Sequence, residues 1–450
     1  MNTLYPDQIK ASEDFEQWLN HNEEQTIAGL WASAGFGKSY SVKDLLINVI
    51  RKNSNYNPIL TSMTHSAVEV LSNFTGMAVH TLHSFMGWIP HVDKETGEET
   101  LSTPSMRDKN AEDRTKKYDI LIIDEAGLMG HLEVRLLKEE CARTGARVLL
   151  VGDNKQCFPV IKEGERMCVP AYEATECYLE LLTPKRTTEN DMIYALALKY
   201  RAAVDGGPQP RLATRLNSDN KTGVRHVDDI EVMAYHAFFA GKRDNDVKDI
   251  KVLAFTNKRC LTLNRKIRKK VMGLKDPTPV VGEEMVANKA IQSSTGDSTI
   301  IRNNQLVIVK EVEKTESFGL GGAFIQFEYK DAEGEMVEVE EIVFVPSSPD
   351  ALLNRLKKLS NEAKIFKKAG DSEKASERWR AFFSLKEGVA DIRFTYAMTV
   401  NKAQGVTLKH ALIDLEDINT CRDREQKTRL AYTAVSRATT YVTIEGKLDD

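Results

Sequence analysis

The sequence is short of several things, and each shortage closes off a class of protein. Its six cysteines, at positions 141, 157, 168, 177, 260 and 421, form no C-x-x-C pair. That pattern fits reduced thiols and argues against a disulfide framework or a thiolate zinc site. No apolar run approaches the ~20 residues that span a bilayer. The opening Met1-Asn2-Thr3-Leu4-Tyr5-Pro6-Asp7 has neither the basic nor the apolar region of a secretory leader. A cytoplasmic protein with no membrane partner is therefore expected. Excess charge is missing too, with 62 basic residues against 66 acidic ones. Net charge gives no reason to expect a nucleic-acid partner, so any such surface must be local. No internal repeat is visible by eye. What is present is ordinary: 450 residues, 41% hydrophobic and 28% charged. That describes a globular enzyme with more than one core, about two to four domains on the usual length prior.

One stretch organises the rest. Ala32-Ser33-Ala34-Gly35-Phe36-Gly37-Lys38-Ser39 follows a short apolar strand, Thr26 to Trp31, and precedes helical spacing at Val42, Leu45, Leu46 and Val49. Strand, small-residue loop and helix in that order make a phosphate-binding loop. Backbone N–H groups of Ala34, Gly35, Phe36 and Gly37 converge on phosphate oxygens, Lys38 reaches the β- and γ-phosphates, and the Ser39 hydroxyl can ligate Mg²⁺. The pattern departs from G-x-x-x-x-G-K-[ST] at Ala32, which the loop tolerates unless that position needs a positive φ. A dinucleotide fingerprint fits less well, because Tyr40 stands where its third glycine belongs.

Residues 1 to about 185 alternate strand and helix, which predicts a parallel sheet covered on both faces. Pro58 to Ser62, Ile120 to Ile123 and Val148 to Val151 read as buried strands whose carboxyl ends turn polar, where open α/β sheets gather ligands. Gly87 to Ser102 reads as an inserted hairpin with its turn at Asp93 to Glu99. A second α/β unit begins near 186, with strands at Val252 to Phe255 and Arg393 to Met398. Between them lie β-rich stretches, read as a small barrel insertion, an acidic strand pair over 331–341, and a basic helical run from Leu352 to Leu385.

Asp124-Glu125 ends one predicted strand, and paired carboxylates there can hold Mg²⁺ and orient or deprotonate water. Gly152-Asp153-Asn154-Lys155-Gln156 ends another, where Gln156 could meet the γ-phosphate; a surface turn closed by Asn and Asp is the plainer alternative. Arg186 and Arg437 are arginines that a second unit could present to the phosphates, although a surface salt bridge is the common fate of any arginine. Two segments could meet nucleic acid. Lys258 to Lys270 carries seven basic residues and no acid, and between Leu352 and Lys386 bases outnumber acids ten to four with Trp379, Phe382 and Phe383 interleaved. Cations that track phosphates and rings that stack on bases describe a single-strand channel, with a solvated helix face as the alternative. His65, His80 and His83 lack a Cys or carboxylate at metal-ligand spacing.

The order of these segments resembles a superfamily 1 DNA helicase of the RecD-like branch, over nearly the whole chain. Gln8, the loop at 32–39, Thr61 to Ala67, His80 to Ser84, Asp124-Glu125, Gly152 to Gln156, Arg186, Phe255 to Asn257, Thr399 to Gly405 and Ala431 to Arg437 carry the likeness. Lys402-Ala403-Gln404-Gly405 and Val435-Ser436-Arg437-Ala438 are the most specific. The resemblance implies that Gln8 reads adenine, and that Lys38, Ser39, Asp124, Glu125 and Gln156 serve ATP hydrolysis with Mg²⁺. Arg186 and Arg437 would contact phosphate, with Gly405 on the nucleotide side. It implies DNA contacts from Thr64, His65, Thr81, His83, Thr256, Asn257, Trp379, Thr399, Asn401 and Lys402. Asn401 replaces a histidine frequent in such helicases, and Met63 a proline.

The implied fold is α/β, with two RecA-like P-loop domains, a hairpin wedge, and an inserted SH3-like β-barrel carrying a helical extension. Its implied bounds are 1–185 with the hairpin at 87–103, then 186–285 with 386–450, and the insertion at 286–385. The implied protein is a monomer in the cytoplasm, the host cell's if a phage encodes it. It works on single-stranded and tailed duplex DNA in replication or recombination, alongside a single-stranded-DNA-binding protein or replication proteins, and moves 5′ to 3′. Two rival readings are an ATP-dependent protein that grips or remodels DNA without unwinding it, and a small-molecule kinase built on the same loop.

Overall fold

The computed structural model describes residues 5–21, 25–45, 50, 56–92, 99–103, 118–159, 164–183, 192–218, 222–244, 247–293, 299–330 and 335–449. Compactness divides the chain into Met1–Cys260 with Met398–Asp450, and Leu261–Ala397. The larger unit holds two α/β sheets.

In the first sheet the strands are β1 (Ile27–Trp31), β2 (Pro58–Ser62), β3 (Val79–Thr81), β6 (Ile120–Asp124), β7 (Arg147–Gly152) and β8 (Cys177–Glu180), in the order β3-β2-β6-β7-β1-β8. Every pairing is parallel. Strands β1, β6 and β7 are continuous apolar runs because both faces are covered. On one face Leu30, Leu60, Ile122 and Leu149 pack with Phe15 of the helix Pro6–His21. On the other Leu121, Ile123, Val148 and Leu150 pack with Leu136 and Leu137 of the helix His131–Thr144. Adjacent placement of β6, β7 and β1 brings their three carboxyl-end loops together. Between β3 and β6, β4 (Ile89–Val92) pairs antiparallel with β5 (Glu99–Ser102). The intervening turn, 93–98, lies outside the described residues.

The second sheet runs β20-β11-β21-β22-β10-β9, from β9 (Arg215–Leu216), β10 (Gly223–Val227), β11 (Ile250–Ala254), β20 (Ala397–Thr399), β21 (Leu408–Asp414) and β22 (Ala438–Glu445). Pairings β11–β21, β21–β22 and β22–β10 are parallel. Tyr200 of the helix Met192–Val204 and Leu430 and Val435 of the helix Arg424–Val435 close one core on Ile413 and Val442.

The smaller unit centres on a sheet β17-β16-β15-β12-β19 with β18 on β16, all antiparallel, and a separate pair β13–β14. These are β12 (Glu284–Ala287), β13 (Ile291–Gln292), β14 (Thr299–Ile301), β15 (Leu306–Ser317), β16 (Leu320–Lys330), β17 (Met336–Glu338), β18 (Val343–Pro346) and β19 (Ile392–Phe394). Phe318 and Gly319 turn β15 into β16 with φ of 56° and 68°, the left-handed pair that a two-residue hairpin requires.

Two expectations need correction here. Arg393 to Met398 is not one strand: β19 joins the antiparallel sheet, β20 joins the parallel one, and the chain breaks at Thr395-Tyr396 between them. The basic run is two helices, Pro349–Lys368 and Ser372–Gly388, capped by Ser348 and Asp371 and parted at Gly370 with φ 81°.

Candidate nucleotide and nucleic-acid site

The loop after β1 has the shape its sequence predicts. Gly35 and Gly37 take φ of 85° and 81°, turning the backbone inward ahead of a helix that opens on Lys38 and Ser39. Ala32 is not among the positive-φ residues, so alanine costs nothing there; its N–H donates to the Gly152 carbonyl at 3.0 Å, tying the loop to β7. The Lys38 ammonium rests 2.9 Å from the Ala32 carbonyl and 3.2 Å from that of Ser33. Gln8 is buried beside the same helix, with its Nε2 donating to Ser41 Oγ at 3.2 Å.

Asp124 ends β6, and its Oδ1 accepts the Glu125 N–H at 2.9 Å. Burial first, and the neighbouring Glu125 carboxylate second, push the Asp124 carboxyl up to about 7. A hard dication held by Asp124 and the Ser39 hydroxyl would favour the ionised form, so this oxygen donor set suits Mg²⁺. Glu125 has φ 53° and ψ 35°, a left-handed conformation unusual for a residue with a Cβ and typical of strained functional positions.

The loop after β7 is gripped by the helix Arg424–Val435. Arg429 Nη1 donates to the carbonyls of Asn154 (2.5 Å) and Gln156 (3.0 Å), Thr433 Oγ1 accepts the Cys157 N–H at 2.8 Å, and Gln426 Oε1 accepts that of Phe158 at 3.0 Å. Asp153 is fully enclosed: its Oδ1 accepts from Arg201 at 2.8 Å and its Oδ2 from the Tyr432 hydroxyl at 2.6 Å. Burial would raise its pKa, yet the Lys38 and Arg201 cations hold it below the usual carboxylate range. Gln156 is buried with its Oε1 accepting from Gln404 Nε2 at 3.4 Å. Asn401 donates to the Phe158 carbonyl at 3.4 Å.

Arg437, two residues beyond that helix, is buried with its guanidinium on Ser436 Oγ (3.0 Å) and the Thr433 carbonyl (3.3 Å), within electrostatic reach of Cys157. Arg186 lies outside the described residues. Gly405, with φ 76°, has as its nearest neighbours Thr64, Ser66 and Ala67 at the start of the helix His65–Thr75.

The DNA candidates divide. Thr64 and Thr81 cap the helices His65–Thr75 and Leu82–Met86, accepting the N–H of Ala67 and Ser84. His65 sits in the first turn of the first of these, and His83 in the second, its Nε2 3.6 Å from Glu133. Asn257 is exposed at the start of the helix Asn257–Met272, and Lys402 is partly exposed beside Asn401.

For Thr256, Thr399 and Trp379 direct contact is corrected. The Thr256 hydroxyl donates to Asp417 Oδ1 at 2.8 Å and accepts the Arg259 N–H, which fastens a turn. Thr399 is buried in β20. Trp379 is only 7% exposed, its ring edge-on to Phe382 at 5.4 Å and tilted on Phe383 at 5.9 Å, so it offers no open face to a base. The basic run at 258–270 is also partly internal: Arg259 pairs with Asp414 and Glu231, and Arg268 is buried on Glu283 at 2.6 Å.

Comparison with known proteins follows this geometry. Residues 4–203 match the AAA domain model, covering Gln8, the phosphate loop, Asp124-Glu125 and Gln156. Residues 394–444 match the UvrD-like helicase C-terminal domain, covering Asn401 to Gly405 and Arg437. Over 425 residues the chain is 26% identical to the ATP-dependent DNA helicase Dda of Enterobacteria phage T4, spanning 90% of this chain and 91% of that protein. The chain resembles a superfamily 1 helicase. The fold agrees: a Pif1 helicase structure, solved for unwinding of forked duplex DNA by two coordinating copies, superposes with TM-score 0.55 at 14% identity over 100% of this chain and 93% of that one. Pif1 from Candida albicans does so with TM-score 0.50 at 16% identity, over 99% and 95%.

Within this superfamily 1 likeness, sequence reasoning passed over Asp153, Arg201, Arg429 and Tyr432. Asp153 stood directly after a buried strand and Tyr432 five residues before Arg437, but nothing in the spacing says that the two meet.

Proposed function

We propose that this chain is an ATP-dependent DNA helicase and single-stranded DNA translocase, moving 5′ to 3′ as the resemblance implies. The observation that carries the reading is the interlock between the two α/β sheets: the helix that leads into Arg437 grips the loop bearing Gln156, beside a phosphate loop anchored to β7. Hydrolysis at such a site changes the contacts between the sheets and so moves one past the other, which a single-sheet kinase has no means to do.

In this reading Lys38 and the loop amides bind the phosphates, Glu125 takes the proton of the attacking water, and Gln156 orients that water. Arg437 and Arg186 neutralise charge that develops on the γ-phosphate. Mg²⁺, held by Ser39 and Asp124, supplies charge neutralisation across the β- and γ-phosphates when bound. Asn257, Asn401, Lys402, His65 and His83 supply nucleic-acid contacts, the β4–β5 hairpin splits the duplex, and the antiparallel sheet of the smaller unit serves as an SH3-like barrel. The protein acts as a monomer in the cytoplasm on single-stranded and tailed duplex DNA, with single-strand-binding or replication proteins as partners.

ATP hydrolysis measured with and without single-stranded DNA tests the reading. Stimulation of at least about tenfold is expected, the lowering of the barrier by ~1.4 kcal/mol that assembly of a catalytic arginine and glutamine must exceed. Equal rates with and without DNA would leave the kinase reading.

A further inference from the structure

The chain of contacts from Lys38 to Arg201 crosses from the phosphate loop to the helix Arg424–Val435. Lys38 donates to the Ser33 carbonyl at 3.2 Å. The Ser33 side chain hydrogen-bonds the Tyr432 phenol, whose hydroxyl donates to Asp153 Oδ2 at 2.6 Å, while Asp153 Oδ1 holds Arg201 at 2.8 Å and the Lys155 N–H at 3.0 Å. Ser33, Asp153 and Tyr432 are all buried, at 5%, 3% and 2% exposure, so water cannot replace these partners without opening the interface. Tyr432 thus touches a residue of the phosphate loop directly.

The same helix carries Arg429, Thr433 and Gln426, which fix the 154–158 loop, and leads into Arg437. Helix backbone is stiff over this distance. Whatever moves the Tyr432 hydroxyl therefore moves the Gln156 loop and Arg437 with it.

We propose that Tyr432 is the positioning residue through which the state of the phosphate loop is passed to the second sheet, its hydroxyl bridging Ser33 and Asp153. When Lys38 leaves the Ala32 and Ser33 carbonyls for a phosphate, the loop segment carrying Ser33 loses its internal tether, and the bridge to Tyr432 carries that change to the 424–435 helix. Residues 431–437 then respond as one body. The bridge touches no nucleic acid, so it sets how strongly hydrolysis and DNA binding are coupled while leaving the affinity for each ligand almost unchanged. This rests on the helicase reading above.

Tyr432→Phe removes the hydroxyl and keeps the packed ring. Stimulation of ATP hydrolysis by single-stranded DNA is expected to fall about tenfold or more, as loss of a charge-assisted buried hydrogen bond would give, with KM for ATP and single-strand affinity within about twofold of wild type. A role in packing alone would lower the melting temperature and leave the coupling of the folded fraction unchanged. Ser33→Ala cuts the bridge at its other end without leaving Asp153 unpaired. It should lower stimulation in the same direction, and the double variant should be no worse than the more affected single one, since both break one path. Should Tyr432→Phe fail to fold, Ser33→Ala alone decides. Wild-type stimulation in the folded variants, or additive losses in the double variant, would overturn the bridge. Absence of DNA stimulation in the unaltered protein would instead overturn the helicase reading, and this inference with it.

Discussion

At the residue scale the nucleotide site stands on short-range chemistry. Lys38→Ala should abolish ATP hydrolysis while single-strand binding stays within about a few-fold, because it removes a phosphate cation and no DNA contact; turnover by colorimetric phosphate release beside a DNA-binding titration checks both. Glu125→Gln keeps the shape and removes the base, so ATP binding should persist while hydrolysis falls by roughly 10²-fold or more. These residues were legible in the sequence because a glycine-rich loop and a carboxylate pair after apolar strands have few other uses. Trp379 was not. A tryptophan among lysines reads equally as a base platform or as a helix anchor, and only the contact with Phe382 and Phe383 decides for the anchor. Trp379→Ala should therefore cost about 3–5 kcal/mol of stability, the range for a buried aromatic, with DNA affinity per folded molecule unchanged.

A buried histidine on the second sheet gives the fold a pH signature. His410 donates to or accepts from Thr443 at 2.9 Å under the Tyr441 ring. Burial first, and the Arg225 cation second, lower its imidazole from 6.5 to about 4. In that interval the unfolded chain binds the proton and the folded one does not, so stability rises with pH. The contribution is complete above ~6.5 and is lost as pH falls toward ~4, about 3 kcal/mol at most. Urea unfolding at pH 7.5 and 5 should show a smaller drop for His410→Gln than for the unaltered protein.

At the scale of elements, period and composition marked the parallel strands well. Strands β2, β6 and β7 fall within one residue of their apolar runs, since burial on both faces demands continuous hydrophobics. What failed was the junction at Arg393 to Met398, where β19 and β20 belong to different sheets although the sequence reads as one strand. Strand partners are long-range, and no local signal reports them. The Thr256 turn shows the same limit: Asp417, 161 residues away, takes the Thr256 N–H at 2.7 Å and its hydroxyl as well. The hairpin of β4 and β5 is the candidate strand splitter. Replacing residues 94–99 with a two-residue turn should lower duplex separation several-fold and spare DNA-stimulated ATP hydrolysis. Equal loss of both would make the hairpin part of the sheet's support.

At the scale of the whole molecule, two parallel sheets meet through the 153–158 loop and the 424–435 helix, and that junction is what a motor needs and a lone phosphate-loop enzyme lacks. The sequence announced both sheets and the order of their motifs. The bonds between them, Asp153 to Tyr432 and Arg429 to Gln156, span more than 270 residues and belong to the folded chain. The most direct test is strand separation on two duplexes that differ only in the polarity of a single-stranded tail, with ATP and Mg²⁺. The account predicts ATP-dependent unwinding of the 5′-tailed duplex, little of the 3′-tailed one, and none of either by Lys38→Ala. ATP hydrolysis stimulated by DNA with neither duplex opened would contradict it, and would describe a protein that grips DNA without unwinding it.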